Sequence, residues 1–198
     1  MTTGNHSKEK KLVYVPNDLL EEVTKYSRIK GVTITKFIEE SLEQAVKVSR
    51  SGYDLQQLGE FFEVLHSQRV LGGAFMPLDV LTYLTNVASK DGMERLGTVW
   101  FESGRWHGRY LKEKFADPVR ALKIFLDASR WDLSEVEVKR DGVKAKIRCV
   151  STVLSKEATE ALSRYIEGMM DGIGYDVEHK DFLKGMILLQ FKEKNALP

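Results

Sequence analysis

A chain of 198 residues, 42% hydrophobic and 30% charged, has the composition of an ordinary globular protein and the length for one or two domains with a substantial core. Its 30 basic and 29 acidic residues leave a net charge of +1, which excludes a global electrostatic signature of nucleic-acid binding and leaves local patches to look for. The single cysteine, Cys149, excludes an intrachain disulfide and any multi-cysteine metal site.

No apolar run has membrane-spanning length and the first dozen residues are polar, so a cytoplasmic protein with no membrane partner is expected. Residues 1–7 are small and polar and predict a disordered tail. Lys10 to Val15 has strand character and stops at Pro16, which cannot donate to a ladder and readily opens a helix. Asn17 and Asp18 suit a helix start, and Leu19, Leu20, Val23 and Ile29 repeat with a period near 3.6. Gly31 ends that helix. Thr33 or Thr35 caps a second one, with apolar Phe37, Ile38, Leu42 and Val46 at three- and four-residue spacing. A lone strand leaves its backbone groups unpaired, and two helices of this length enclose a very small core. Pairing two copies solves both problems, so the segment is expected to be an obligate dimer. From Met1 to Lys36 seven basic residues stand against four acidic ones, a local excess that suits phosphate.

The stretch KVSRSGYD after Lys47 predicts a domain junction. Asp54 caps a connecting helix to about Gln68, with Leu55, Leu58, Phe61, Phe62 and Leu65 apolar. Arg69 to Phe75 contains Gly72 and Gly73 and predicts a turn or short strand; no Lys-Ser/Thr pair follows, so it is not a phosphate loop. Pro77 begins a helix to about Ser89, which Asp91 and Gly92 break. A long helical pattern runs from Met93 to about Phe115, where Gly104 and Gly108 share a face and would let another backbone approach. Asp117 and Pro118 start a further helix to about Ser129. The pattern then changes to alternation: Glu135–Val138 and Lys144–Val150 predict strands joined through Arg140, Asp141 and Gly142. Ser155 caps a helix from Lys156 to about Gly172. Tyr175–Val177 and Met186–Phe191 predict two more strands, joined at Lys184 and Gly185. The fold class is α+β: a strand–helix–helix unit, then an α+β domain of helices and a small antiparallel sheet.

The strand, proline, helix, Gly-Val-Thr turn and second helix of residues 8–47 resemble the ribbon-helix-helix family of DNA-binding proteins, with V-x-V-P-N-D-L-L followed by G-V-T-x-T-K-F-I carrying the likeness. The resemblance implies a homodimer whose paired strands enter the major groove of double-stranded DNA. Anchored on Pro16, it turns Val13 and Val15 to the core and Lys10, Leu12 and Tyr14 to the bases. Lys8, Lys11, Thr33, Thr35 and Lys36 would hold phosphates. Leu12 and Tyr14 depart from the polar side chains usual in the family, which keeps open a ribbon used only to dimerise.

Residues 71–198, beyond a linker and connecting helix at 48–70, carry a second resemblance. E-S-G-R-W-H-G-R-Y-L at 102–111, Trp131 before a charged hairpin, I-E-G-M-M-D-G-I-G-Y-D-V-E-H at 166–179 and K-G-M-I-L-L-Q-F at 184–191 are similar to the 4-vinyl reductase family of small-molecule sensor domains. That resemblance implies an enclosed pocket for a small hydrophobic ligand. Some members hold zinc through cysteines, but Phe182 and Leu188 fill those positions here, so neither metal nor cofactor is expected. Trp100, Trp106, His107, Tyr110 and Trp131 are the candidate pocket residues; core packing is the competing role of each.

No Ser-His-Asp order, paired carboxylates or cofactor loop stands out, and the chain is not expected to be an enzyme. The expected function is a homodimeric transcriptional regulator that binds DNA, with possible higher assembly there, and senses a small ligand through its second domain. Two other classes remain: an architectural DNA binder, and a ligand-binding or interaction protein whose ribbon only dimerises.

Overall fold

A computed structural model describes residues 11–74, 76–90, 92–130 and 132–194. The chain divides into two compact units, one up to Leu58 and one from Gly59. In the first, α1 spans Asn17–Ile29 and α2 spans Ile34–Arg50. Pro16 precedes α1 with extended dihedrals (φ −54°, ψ 142°), and its carbonyl accepts the Leu20 N–H at 3.0 Å. Gly31 takes φ 67° between the helices, a conformation that costs any residue with a Cβ about 1–2 kcal/mol. Of the two capping threonines, Thr33 does the work: its Oγ1 accepts the Lys36 N–H at 3.2 Å.

The ribbon strand predicted over Lys10–Val15 is not seen. Lys10 lies outside the described residues, as does the predicted tail at 1–7, and residues 11–16 form no strand. A strand exists only through a ladder to a neighbour, and among the described residues this segment has none. Burial in this unit is correspondingly poor. Ser27 is its buried residue in α1, and α2 has none, while Leu19, Ile29, Leu42 and Val46 are all exposed.

Helix α3, Leu55–Val70, opens with a reciprocal cap: Asp54 Oδ1 accepts the Gln57 N–H at 2.7 Å and Gln57 Oε1 accepts the Asp54 N–H at 3.2 Å. In chain order follow α4 (Leu78–Lys90), α5 (Met93–Lys114), α6 (Pro118–Ser129), β1 (Glu135–Asp141), β2 (Lys144–Val150), α7 (Lys156–Ile173), β3 (Tyr175–Leu183) and β4 (Met186–Glu193). Asp117 and Ser155 cap α6 and α7 as predicted, accepting from Arg120 and Ala158.

The strands form one antiparallel sheet in the order β1-β2-β4-β3. β1 runs further than predicted, through to Asp141 opposite Lys144. The hairpin turn is therefore Gly142 and Val143, with Gly142 at φ 54° where a two-residue loop needs it. β3 extends six residues beyond Val177, past a register shift between Val177 and His179. Its charged side chains, suited to an edge strand, hide that extension from an alternation count.

One sheet face carries Ala145, Ile147 and Cys149 from β2 and Ile187, Leu189 and Phe191 from β4, all buried, on the two-residue period of a half-buried sheet. Against them pack Leu122 and Leu126 of α6 and Leu162, Ile166, Met169 and Met170 of α7. Helix α7 also packs against α5 with no side chains between the two backbones along part of their length. A Cβ on Gly104 or Gly108 would run into the carbonyls of Tyr165 or Met169, and one on Gly168 or Gly172 into those of Phe101 or Arg105. The predicted close approach at Gly104 and Gly108 is real, and two glycines of α7 answer it.

Candidate functional site

The long helix α5 presents its inner face at every third or fourth position, which places Trp100, Gly104, His107, Gly108 and Leu111 together. His107 is 8% exposed. Its ring lies 5.6 Å from Phe125 of α6 and 5.5 Å from Tyr165 of α7. Trp100 meets the same Tyr165 edge-on at 5.8 Å. His107 Nδ1 sits 3.0 Å from the Ser103 carbonyl, an acceptor, so Nδ1 carries the proton and donates. Nε2 is then a bare acceptor, and among the described residues it has no partner. Burial lowers the His107 pKa, and the bond to Ser103 only partly opposes that. The imidazole is neutral near pH 7. An unpaired buried acceptor costs about 1–3 kcal/mol, and a ligand hydroxyl or N–H would remove the cost.

Trp106, though next to His107, is turned away by the ~100° step between helix positions. It is 64% exposed and carries the Arg109 guanidinium over its ring, 5.4 Å from the centroid. Tyr110 is part-exposed and makes no ring contact with the His107 group among the described residues. Trp131 lies outside the described residues. Of the five predicted pocket residues the fold therefore brings Trp100 and His107 together and leaves Trp106 and Tyr110 apart. Phe125 and Tyr165, which complete the aromatic group, carry no local signal, since only the packing of α6 and α7 on α5 delivers them.

Beside Trp100 a small cavity is closed by Leu78, Leu81, Thr82 and Thr85 of α4, Leu154, Ala158 and Ala161, with Arg130 at its margin. Its volume of about 10 Å³ is no more than one water needs. Arg130 is already engaged, with Nε 2.8 Å from Asp132 Oδ1. Cys149 is buried, and desolvation pushes its thiol up to about 12, so it is inert at neutral pH. No group of three His, Cys, Asp or Glu residues among the described ones can hold a metal ion, and none of the described helices is long and apolar enough to cross a membrane.

In the N-terminal unit Leu12 is 83% and Tyr14 90% exposed. Val13, predicted to face a core, is exposed as well. Lys8 and Lys10 lie outside the described residues. Lys11, Thr35 and Lys36 are exposed; the Lys36 ammonium reaches only to 3.8 Å from Glu40, a solvent-screened pair. Thr33 spends an oxygen lone pair on its cap and keeps its O–H as a donor. With the free N–H groups of the first turn of α2, Thr33, Thr35 and Lys36 form a local donor set of the kind that holds a phosphate.

No family model matches the chain, and no curated protein matches it. Among solved structures the chain is similar to one described as "Probing the function of heme distortion in the H-NOX family", at 15% sequence identity and a TM-score of 0.39, over 72% of this chain and 95% of that one.

Proposed function

We propose that the protein is a homodimeric DNA-binding regulator in which residues 8–47 form a ribbon-helix-helix and the C-terminal unit senses a small hydrophobic ligand. The observation that carries the reading is the apolar exposure of the N-terminal unit. Two amphipathic helices, the second N-capped by Thr33, leave Leu19, Ile29, Leu42 and Val46 in solvent, which is unstable for a free-standing monomer and natural for half of a shared core. The exposed segment 11–15 ahead of Pro16 supplies the strand for pairing, with Leu12 and Tyr14 directed at base edges. Thr33, Thr35 and Lys36 fix the register on phosphate. In the second unit the unpaired Nε2 of His107, among Trp100, Phe125 and Tyr165, supports a ligand with an aromatic or aliphatic body and one hydrogen-bond donor. A ligand that favours one dimer arrangement then changes DNA affinity by linkage.

The test is a titration against the duplex upstream of the protein's own coding region and against a scrambled duplex, at two salt concentrations. Preference for the first that survives the higher salt is expected. Equal binding that collapses with salt would mean contact dominated by phosphate and an architectural role. Absence of binding at low salt would refute the DNA reading and leave the ribbon as a dimerisation device.

A further inference from the structure

Helix α4 carries apolar residues on two faces. The inner one, Leu78, Leu81, Thr82 and Thr85, closes the cavity beside Trp100. The outer one repeats Val80, Tyr83, Leu84 and Val87 at three- and four-residue spacing, and all four are exposed, from 43% at Val87 to 68% at Tyr83. Among the described residues no other element lying wholly within the C-terminal unit has four large exposed apolar side chains; α3, which crosses the unit boundary, carries Leu55, Leu58, Phe62 and Val70 exposed. A helix that is apolar on both sides is covered on both sides in its working state.

We propose that the outer face of α4 seats against α4 of a second copy of the chain, so that one helix joins the cavity to the dimer. The inference rests on the dimeric reading above. Three features select a second copy over an unrelated partner. The spacing is that of a two-helix seam, and a seam made by a helix with itself about a two-fold axis needs no complementary surface elsewhere. From Val80 to Ser89 the helix has no charged residue, so self-association buries no ion and opposes no like charges, as in the charge-depleted centre of protein interfaces. Finally, four part-exposed side chains fall well short of the roughly 800 Å² per partner of a stable free-standing interface. A seam this small holds only between bodies that something else has already brought together. Dimeric N-terminal units tethered in the same chains do so, at effective concentrations of the order of millimolar. A ligand that enlarges the cavity then pushes on α4 from inside and alters the seam outside, which gives the linkage a physical element.

The experiment is cysteine cross-linking in the full chain. Cys149 is 1% exposed and silent, so Tyr83→Cys, Leu84→Cys and Val87→Cys each introduce the one reactive thiol. Lys146→Cys, at an exposed position on β2, is the control. All four are compared under mild oxidation, with sedimentation measured in reductant. Expected is a disulfide-linked dimer forming at least tenfold faster for the best of the three α4 variants than for the control. If the chain sediments as a dimer and no α4 thiol outpaces Lys146→Cys, the α4 seam is refuted and the dimer stands. If the unmodified chain sediments as a monomer, the dimeric reading fails and the seam with it.

Discussion

Replacing His107 by phenylalanine should make the protein more stable. The imidazole buries an acceptor, Nε2, that nothing among the described residues pairs, and it does so between Phe125 and Tyr165, neighbours that suit a third aromatic ring. What the substitution loses is the Nδ1 bond to the Ser103 carbonyl, an oxygen already inside the hydrogen-bond ladder of α5. What it removes is the desolvation cost of Nε2, about 1–3 kcal/mol. Allowing for the slightly larger ring, a net gain of about 1 kcal/mol at pH 8 is expected, or roughly 2–4 °C in Tm for a chain of this size. The gain should widen in acid. Burial holds the folded-state pKa of His107 below the ordinary histidine value of 6.5, so the unfolded chain takes up a proton that the folded one does not, and stability is lost as pH falls below 6.5. At pH 5.5 this costs the parent at most about 1.4 kcal/mol and the variant nothing. Urea denaturation of both proteins at pH 8 and pH 5.5 measures the two contributions separately. A His107→Phe protein that is less stable than its parent at pH 8 by about 1 kcal/mol or more would refute the argument, since Nε2 would then have had a partner worth keeping.

Gly108→Ala, whose new Cβ meets the α7 backbone at Met169, should lower stability by about 2 kcal/mol or more. Gly59→Ala, in a helix with nothing within 4 Å, should raise it by up to about 1 kcal/mol; thermal melts that reverse this order would show the α5–α7 contact to be looser than described. Thr33→Ala should cost about 1 kcal/mol through the lost cap of α2, and under the phosphate-holding role proposed for it, it should weaken DNA binding equally for specific and scrambled duplexes. A loss confined to the specific duplex, measured by fluorescence anisotropy, would move Thr33 to the base-reading surface.

Helix ends were the most legible part of the chain because their causes are local. Thr33, Asp54, Asp117 and Ser155 each accept a backbone N–H three residues on, and Gly31 takes its positive φ within the same few residues. Strands were less legible in proportion to their distance from the sheet centre. β4, buried on alternate positions, announces itself, whereas the outer half of β3 reads as polar sequence. The segment ahead of Pro16 is the extreme case, since it has strand character in sequence and yet residues 11–16 join no ladder among the described residues. The site was half legible. Spacing on α5 set Trp100 and His107 on one face, but grouping by aromatic character also drew in Trp106, which the helix turns outward. Phe125 and Tyr165 could not be paired with them from any local pattern, as they arrive from helices that only the tertiary fold lays alongside.

The four glycines between α5 and α7 have a mechanical consequence. With backbone against backbone there is no layer of rotamer-bearing side chains to yield, so these two helices deform as a single stiff beam. Tyr165, on α7, and His107, on α5, are therefore fixed in spacing from one another. Strain introduced beside them by a bound molecule has to be relieved where packing is made of side chains, at α6 and at α4. The compliance of the C-terminal unit is in this way concentrated in particular helices, and a chain that needs to report an event at one place through movement at another gains from having so few places that can move.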